Sequence, residues 1–147
     1  KAAKGGNPNM VKFPRSLLDK NNLEFSFSGL KTSLLYFMDE FKETKKISKK
    51  DVIASYQKAI IDVLIIKLKR AMKMKNINTC VIAGGVAANE YLRENLKLAL
   101  DNQKIIFPEL SYCTDNGAMI SYLGEKKLKF KNYKSLSFGA SPNLKLS

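Results

Sequence analysis

The chain has 147 residues, with 26 lysines and arginines against 13 acidic residues and a net charge of +13. This length fits one domain that buries roughly 68–70% of its unfolded surface. The positive net charge favours binding of polyanions such as nucleic acid. For a single run of lysines, however, a solvated helix face is the commoner explanation. No apolar run reaches the about 18 residues of a membrane span, and no signal peptide is visible.

An extended entrance, a strand and a helix are predicted at the start of the chain. Residues 1–22 contain two prolines and form the entrance. Residues 23–28 alternate between apolar and polar types as a strand does, and helical spacing of apolar residues then runs from Gly29 to about Lys42. The entrance is therefore expected to lead directly into the first strand.

A long helix follows, and a capping box marks its start. Ser48 stands three residues before Asp51, the spacing at which both side chains satisfy free N–H groups of a helix N-terminus. The helix is predicted to end near Asn76. Its apolar positions form one stripe, which we assign to the core and not to a membrane or partner surface: Val52, Tyr56, Ile60, Val63, Leu64 and Leu68.

Strands and helices alternate in the second half of the chain, which predicts an α/β fold. The predicted strands are residues 78–83 and 104–107, the second stopped by a proline. The predicted helices are residues 87–100 and 116–129.

The side chains of predicted helix 87–100 divide between two faces. Its leucines recur every fourth residue, at Leu92, Leu96 and Leu100, and are expected to face inward. Arg93 and Lys97 are expected to face outward, into solvent.

Two loops that follow predicted strands carry the residues of greatest functional interest. The first reads A-G-G-V-A-A-N over Ala83–Asn89, and its paired glycines remove the Cβ atoms that would keep a ligand from the backbone. The second reads C-T-D-N-G over Cys113–Gly117. Each precedes a helix whose N-terminus offers free N–H groups, so the sequence predicts two turns that face one ligand, although a glycine pair is often only a tight turn.

The two cysteines, Cys80 and Cys113, have no spacing typical of a metal site. Without a secretory context we expect reduced thiols, with a disulfide as the alternative. The expected location is the cytoplasm, with no membrane attachment.

Four sequence strings, read together, are far more specific than either loop alone. They are F-P-R at 13–15, F-S-F-S-G-L-K-T at 25–32, G-G-V-A-A-N at 84–89 and C-T-D-N-G-A-M at 113–119. In this order they resemble the C-terminal part of the TsaD/Kae1 family, whose members are tRNA threonylcarbamoyladenosine transferases. The similarity runs from about Gly6 to about Ala140.

The resemblance implies an α/β fold that is the second lobe, in partial form, of the actin/Hsp70/hexokinase-like (ASKHA) ATPase fold. Residues 23–140 are then the C-terminal lobe, and residues 141–147 are a tail. The first lobe of the family carries a pair of metal-binding histidines in an H-x-x-x-H helix, and this chain contains no histidine. We therefore expect activity to require an N-terminal lobe that this chain lacks.

The resemblance also assigns residues to a nucleotide site and a metal site. It places the adenylate substrate, or ATP/ADP, against Gly84, Gly85, Val86 and Asn89. It makes Asp115 one ligand of a divalent metal ion, iron or alternatively zinc, which the missing histidines complete. Without the resemblance, Asn89 and Asp115 could equally be a local hydrogen-bonding residue and a helix cap.

Three further residues have weaker assignments. Lys31 lies in a string that lacks the phosphate-wrapping P-loop pattern, and its position in the family makes it a candidate contact for tRNA or phosphate. Thr114 and Asn116 are expected to shape the loop that presents the neighbouring aspartate. No residue of this chain is assigned as catalytic.

The reaction implied is transfer of a threonylcarbamoyl group from threonylcarbamoyl-AMP to N6 of the adenosine next to the anticodon, which forms t6A. The expected partners are tRNA, TsaB-like and TsaE-like proteins in a bacterium, and a separate N-terminal lobe. One alternative is a non-catalytic nucleotide- or RNA-binding lobe. Another is an actin-like sugar or metabolite kinase lobe, which should not carry the strings at 25–32 and 113–119 together.

Overall fold

Four helices and a two-stranded sheet make up the fold in the computed structural model, which describes residues 2–19, 21–44 and 47–130. The helices are α1 at Ser28–Thr44, α2 at Lys49–Lys75, α3 at Glu90–Ala99 and α4 at Gly117–Lys129. The strands are β1 at Thr79–Val81 and β2 at Lys104–Ile106, and short 3-10 turns occupy Gly85–Ala88 and Leu110–Tyr112. The predicted α/β class is confirmed, and the predicted tail at 141–147 lies outside the described residues.

The capping box predicted for α2 is present. Ser48 Oγ accepts from the backbone N–H of Asp51 at 3.2 Å and donates to its carboxylate at 2.7 Å. The backbone N–H of Asn7 donates to the same carboxylate at 2.7 Å, and these hydrogen bonds, the one from Asn7 first, hold the pKa of Asp51 below its ordinary value of 3.8. The helix ends at Asn76, which adopts the left-handed conformation with φ 51°.

Two hydrophobic clusters pack against opposite halves of α2. The first joins its N-terminal half to the entrance and α1 through Phe13, Leu30, Val52 and Ala59. The second joins its C-terminal half to α3 and the sheet through Ile61, Met72, Leu92, Leu96 and Leu100. The predicted inward face of residues 92, 96 and 100 is thus confirmed, and α2 buries more of its surface than the single predicted stripe. None of the helices formed by the described residues is both long and apolar enough to cross a lipid bilayer.

The strand predicted at residues 23–28 is wrong. Residues 22–27 form neither helix nor strand, and α1 begins at Ser28. The loop before it, residues 17–22, is held by two side chains of α2. Lys67 Nζ donates to the carbonyl of Asn22 at 2.7 Å and also to that of Leu17. Arg70 donates to the carbonyls of residues 18, 19 and 22. Among the described residues only β1 and β2 pair, so residues 23–28 have no neighbouring strand with which to form a ladder. The apolar residues that produced the alternation pack as a loop: Leu23 and Phe25 line a cleft, and Phe27 packs against the first cluster.

Lys67 is the most deeply buried cation in the described part of the chain, with 1% of its surface exposed. Burial disfavours the charged ammonium and lowers the pKa of Lys67 below its ordinary value. Lys67 lines a cleft together with apolar residues of α2, α3 and residues 23–25, while its Nζ atom donates to the loop carbonyls. This lysine therefore fixes the course of the chain into α1.

Candidate functional site

The two parallel strands place both predicted site loops at one edge of the sheet. Thr79 pairs with Lys104 and Val81 with Ile106, so the loops that follow β1 and β2 leave the sheet in the same direction. A Cβ atom at Gly85 would lie 4.0 Å from Thr114 Cγ2. The predicted proximity of the two loops is confirmed, and it lies where open α/β sheets place their ligands.

The first loop turns at Gly84 and ends at Asn89. Gly84 has φ 85° and ψ 174°, a conformation that is nearly exclusive to glycine. Asn89 is the N-cap of α3, since its side chain oxygen accepts from the N–H of Leu92 at 3.0 Å. The helix predicted to start at Ala87 therefore starts at Glu90, because a 3-10 turn and this cap occupy residues 85–89.

We expect alanine substitutions at the paired glycines to have different effects on folding. Gly84→Ala should lower the free energy of unfolding by about 1–2 kcal/mol, because a side chain strains the backbone at positive φ. Gly85→Ala should leave it nearly unchanged, because the added methyl group meets only Thr114 Cγ2, at an ordinary contact distance of 4.0 Å. Urea denaturation of the two variants measures this, and equal losses at both positions would contradict it.

The second loop exposes Asp115 and does not use it as the cap of the following helix. Asn116, and not Asp115, caps α4: its side chain oxygen accepts from the N–H of Met119 at 3.0 Å, and its amide donates to the carbonyl of Thr114 at 2.8 Å. Asp115 is exposed and forms no hydrogen bond or ion pair with the residues that the structure describes. The helix-cap interpretation of Asp115 is therefore wrong, and its carboxylate remains accessible to a ligand.

Arg93 does not face outward as predicted but links the two loops. Its Nε atom donates to the carbonyl of Ala87 at 2.6 Å, and its Nη2 atom donates to the carbonyl of Pro108 at 2.9 Å and to Cys113 Sγ at 3.3 Å. The guanidinium also lies over the ring of Phe107, 4.8 Å from its centroid. Side chains of a helix lean toward its N-terminus, so an arginine in the first turn of α3 reaches back over the preceding loop. That lean is the sequence signal that could have identified Arg93.

An apolar cleft of about 400 Å³ opens between the first loop and α2. Val86 and Phe25 line it and keep 57% and 53% of their surfaces exposed. A larger cleft, of about 520 Å³, lies at the other end of the strands, among residues 76–78 and 101–103. Of these two clefts only the apolar one adjoins the first loop, through Ala83, Val86 and Ala87, and its apolar walls suit a flat aromatic group.

The remaining predicted residues are not all brought together. Lys31 is exposed in the first turn of α1, and no hydrogen bond or ion pair between described residues links it to either loop. Cys80 and Cys113 are both free thiols, the second buried, and burial raises the pKa of Cys80. Within residues 2–19, 21–44 and 47–130, no three side chains of histidine, cysteine, aspartate or glutamate cluster as a metal site would require.

Known proteins match this chain along almost its whole length. The family model described as TsaD, tRNA N6-adenosine threonylcarbamoyltransferase, matches residues 1–122. Proteins with this name from Thermosipho africanus and Clostridium kluyveri are 43% and 46% identical to it, each across 99% of the chain. One from Streptococcus gordonii is 40% identical across 92% of the chain.

The match covers less than half of each relative. The chain spans 44% of the Thermosipho africanus and Clostridium kluyveri proteins and 40% of the Streptococcus gordonii protein. Both site loops, including the G-G-V-A-A-N string and Asp115, fall within the residues that the family model matches. The chain belongs to the TsaD family of tRNA N6-adenosine threonylcarbamoyltransferases.

Proposed function

We propose that this chain is the C-terminal part of an enzyme that transfers a threonylcarbamoyl group from threonylcarbamoyl-AMP to N6 of the adenosine next to the anticodon of tRNA. The observation that carries the proposal is the adjacency of the two strand-to-helix loops at the carboxyl ends of parallel strands. Family membership supports this reaction. It also supports our proposal that the chain adopts the second lobe of an actin/Hsp70/hexokinase-like ATPase fold.

The first loop is proposed to hold the adenylate of the substrate, or ATP/ADP. Gly84 and Gly85 are exposed, and among the described residues nothing lies within 4 Å of a Cβ atom placed on Gly84. Asn89 uses its side chain oxygen as a helix cap, and its amide nitrogen has no hydrogen-bond partner among the described residues. That nitrogen is a donor for the nucleotide, while Val86 offers an apolar contact in the adjoining cleft.

Asp115 is proposed to supply one ligand to a divalent metal ion, iron or zinc. Around it the described residues form no cluster of three histidine, cysteine, aspartate or glutamate side chains, so they do not by themselves fit the metal. In the proposal the remaining ligands are histidines of the N-terminal lobe, since this chain has none.

Pairing with an N-terminal lobe is supported by apolar surface that the described residues leave uncovered. On α4, six large apolar side chains are at least 49% exposed: Met119, Ile120, Tyr122, Leu123, Leu128 and the adjoining Phe130. The sheet has only two strands, so β1 has one edge without a strand partner among the described residues. A second lobe could cover both surfaces.

The remaining partners follow from the proposed reaction. The net charge of +13 suits tRNA, and Lys31 is an exposed cation that could contact its phosphates. TsaB-like and TsaE-like proteins are the proposed partners in a bacterium, and the cytoplasm is the proposed location.

A hybrid protein tests the proposed reaction. In this hybrid, the chain replaces the part of the Thermosipho africanus relative that it matches, 44% of that protein. Mass spectrometry of nucleosides from tRNA incubated with the hybrid, threonylcarbamoyl-AMP and the partner proteins should detect t6A. A folded hybrid that binds nucleotide but makes no t6A would favour the alternative, a non-catalytic nucleotide-binding lobe.

A further inference from the structure

Arg93 joins two chain segments that carry the proposed nucleotide and metal residues. It donates hydrogen bonds to Ala87 in one segment and to Pro108 and Cys113 in the other, and the outermost of these partners, Ala87 and Cys113, are 26 residues apart in the sequence. Asn89 lies two residues after Ala87, and Asp115 lies two residues after Cys113. The guanidinium therefore contacts each loop next to the residue that is proposed to bind a ligand.

The geometry of these contacts requires the fork of an arginine. Nε faces one loop and Nη2 faces the other, so one rigid plane fixes the separation of the two segments. The ring of Phe107 supports that plane from one side, and the backbone N–H of Arg93 donates to the carbonyl of Asn89 at 3.1 Å. A lysine keeps the charge but cannot reproduce two directed contacts from one plane.

No carboxylate among the described residues neutralises the charge of Arg93. Among the described residues Arg93 forms no ion pair, and all of its hydrogen-bond acceptors are neutral groups. A half-buried cation beneath the two loops is thus used for positioning, and it adds positive potential where an anionic ligand is proposed to bind.

We propose that Arg93 is a positioning residue that couples the loop ending at Asn89 to the loop carrying Asp115. This inference rests on the proposed function for the identity of the ligand but not for the coupling itself. A ligand that orders the first loop orders the second through the guanidinium, so the two proposed binding residues keep a fixed separation.

Cys113 reports directly on this coupling. Its thiol is 2% exposed and contacts the guanidinium at 3.3 Å, so it reacts only when the second loop opens. In Arg93→Lys and Arg93→Met we expect iodoacetamide to alkylate Cys113 about 10-fold faster than in the wild type, because a charged hydrogen bond that closes the loop is lost. Peptide mass spectrometry separates this thiol from Cys80, which serves as the internal control.

The controls separate positioning from general stability. The rate at Cys80 should stay unchanged in both variants, and Lys97→Met, which removes an exposed cation from the next turn of α3, should change neither rate. Equal acceleration at both thiols would mean general loosening and would overturn the inference. Wild-type reactivity of Cys113 in Arg93→Lys would overturn it as well, because the charge alone would then suffice.

Addition of AMP distinguishes this inference from the proposed function. AMP should slow alkylation of Cys113 in the wild type, and this protection should be lost in Arg93→Lys. Equal protection in both proteins would overturn the coupling. If AMP does not bind the wild type, the proposed nucleotide site fails, while the rates without ligand still decide the role of Arg93.

Discussion

Asp115→Ala is expected to abolish both metal retention and t6A formation in the hybrid protein while leaving the free energy of unfolding unchanged. The carboxylate is exposed and makes no hydrogen bond or ion pair within the described residues, so its removal breaks none among them. Bound iron or zinc is measured by inductively coupled plasma mass spectrometry after gel filtration.

The neighbouring residue provides a matched control for Asp115. Asn116→Ala removes the cap of α4 and should lower the free energy of unfolding by about 1 kcal/mol, yet the metal should remain bound. A hybrid that retains the same amount of metal after Asp115→Ala would contradict the proposed metal ligand. In the chain without an N-terminal lobe, the same substitution should change nothing, because one carboxylate does not make a metal site.

Asn89→Ser is expected to weaken binding of AMP by about 10- to 100-fold, the cost of one lost hydrogen bond to a charged ligand, with little effect on folding. Serine keeps an oxygen that can accept from the N–H of Leu92, so the cap of α3 is preserved, but it lacks the amide donor. Titration calorimetry gives the affinity, and urea denaturation gives the stability.

A second substitution separates the role of Asn89 as a helix cap from its proposed role as a hydrogen-bond donor to the nucleotide. Asn89→Ala removes the cap as well as the donor. It should therefore weaken binding of AMP to the same extent as Asn89→Ser and also lower the free energy of unfolding by about 1 kcal/mol. Unchanged affinity in the serine variant, with a folded chain, would show that the amide does not contact the nucleotide.

Local patterns predicted the elements whose signal is contained in a short stretch of sequence. The capping box at Ser48 joins residues three apart, and the four-residue spacing of its leucines marks the inward face of α3; both were predicted correctly. The alternation at residues 23–28 failed because a strand needs a neighbouring strand, and among the described residues only β1 and β2 pair. Whether an alternating segment finds a partner is decided by distant parts of the chain.

The candidate site shows the same limit. The strings around Gly84 and Asp115 located both loops, but the choice of helix cap between Asp115 and Asn116 depends on which side chain reaches the N–H of Met119. Arg93 was predicted to face outward because it is charged. Its observed role depends on acceptors from two separate segments of the chain. The cap of α4 was decided by local geometry within three residues, whereas the role of Arg93 was decided by contacts between separate segments of the chain.

Amide chemical-shift changes on titration of this chain with AMP test most directly whether the two loops form one nucleotide site. We predict that the largest changes occur together at residues 84–89 and 113–116, since the loops are adjacent and joined by Arg93. Changes centred instead on residues 76–78 and 101–103, at the larger cleft on the other end of the strands, would contradict the proposed site.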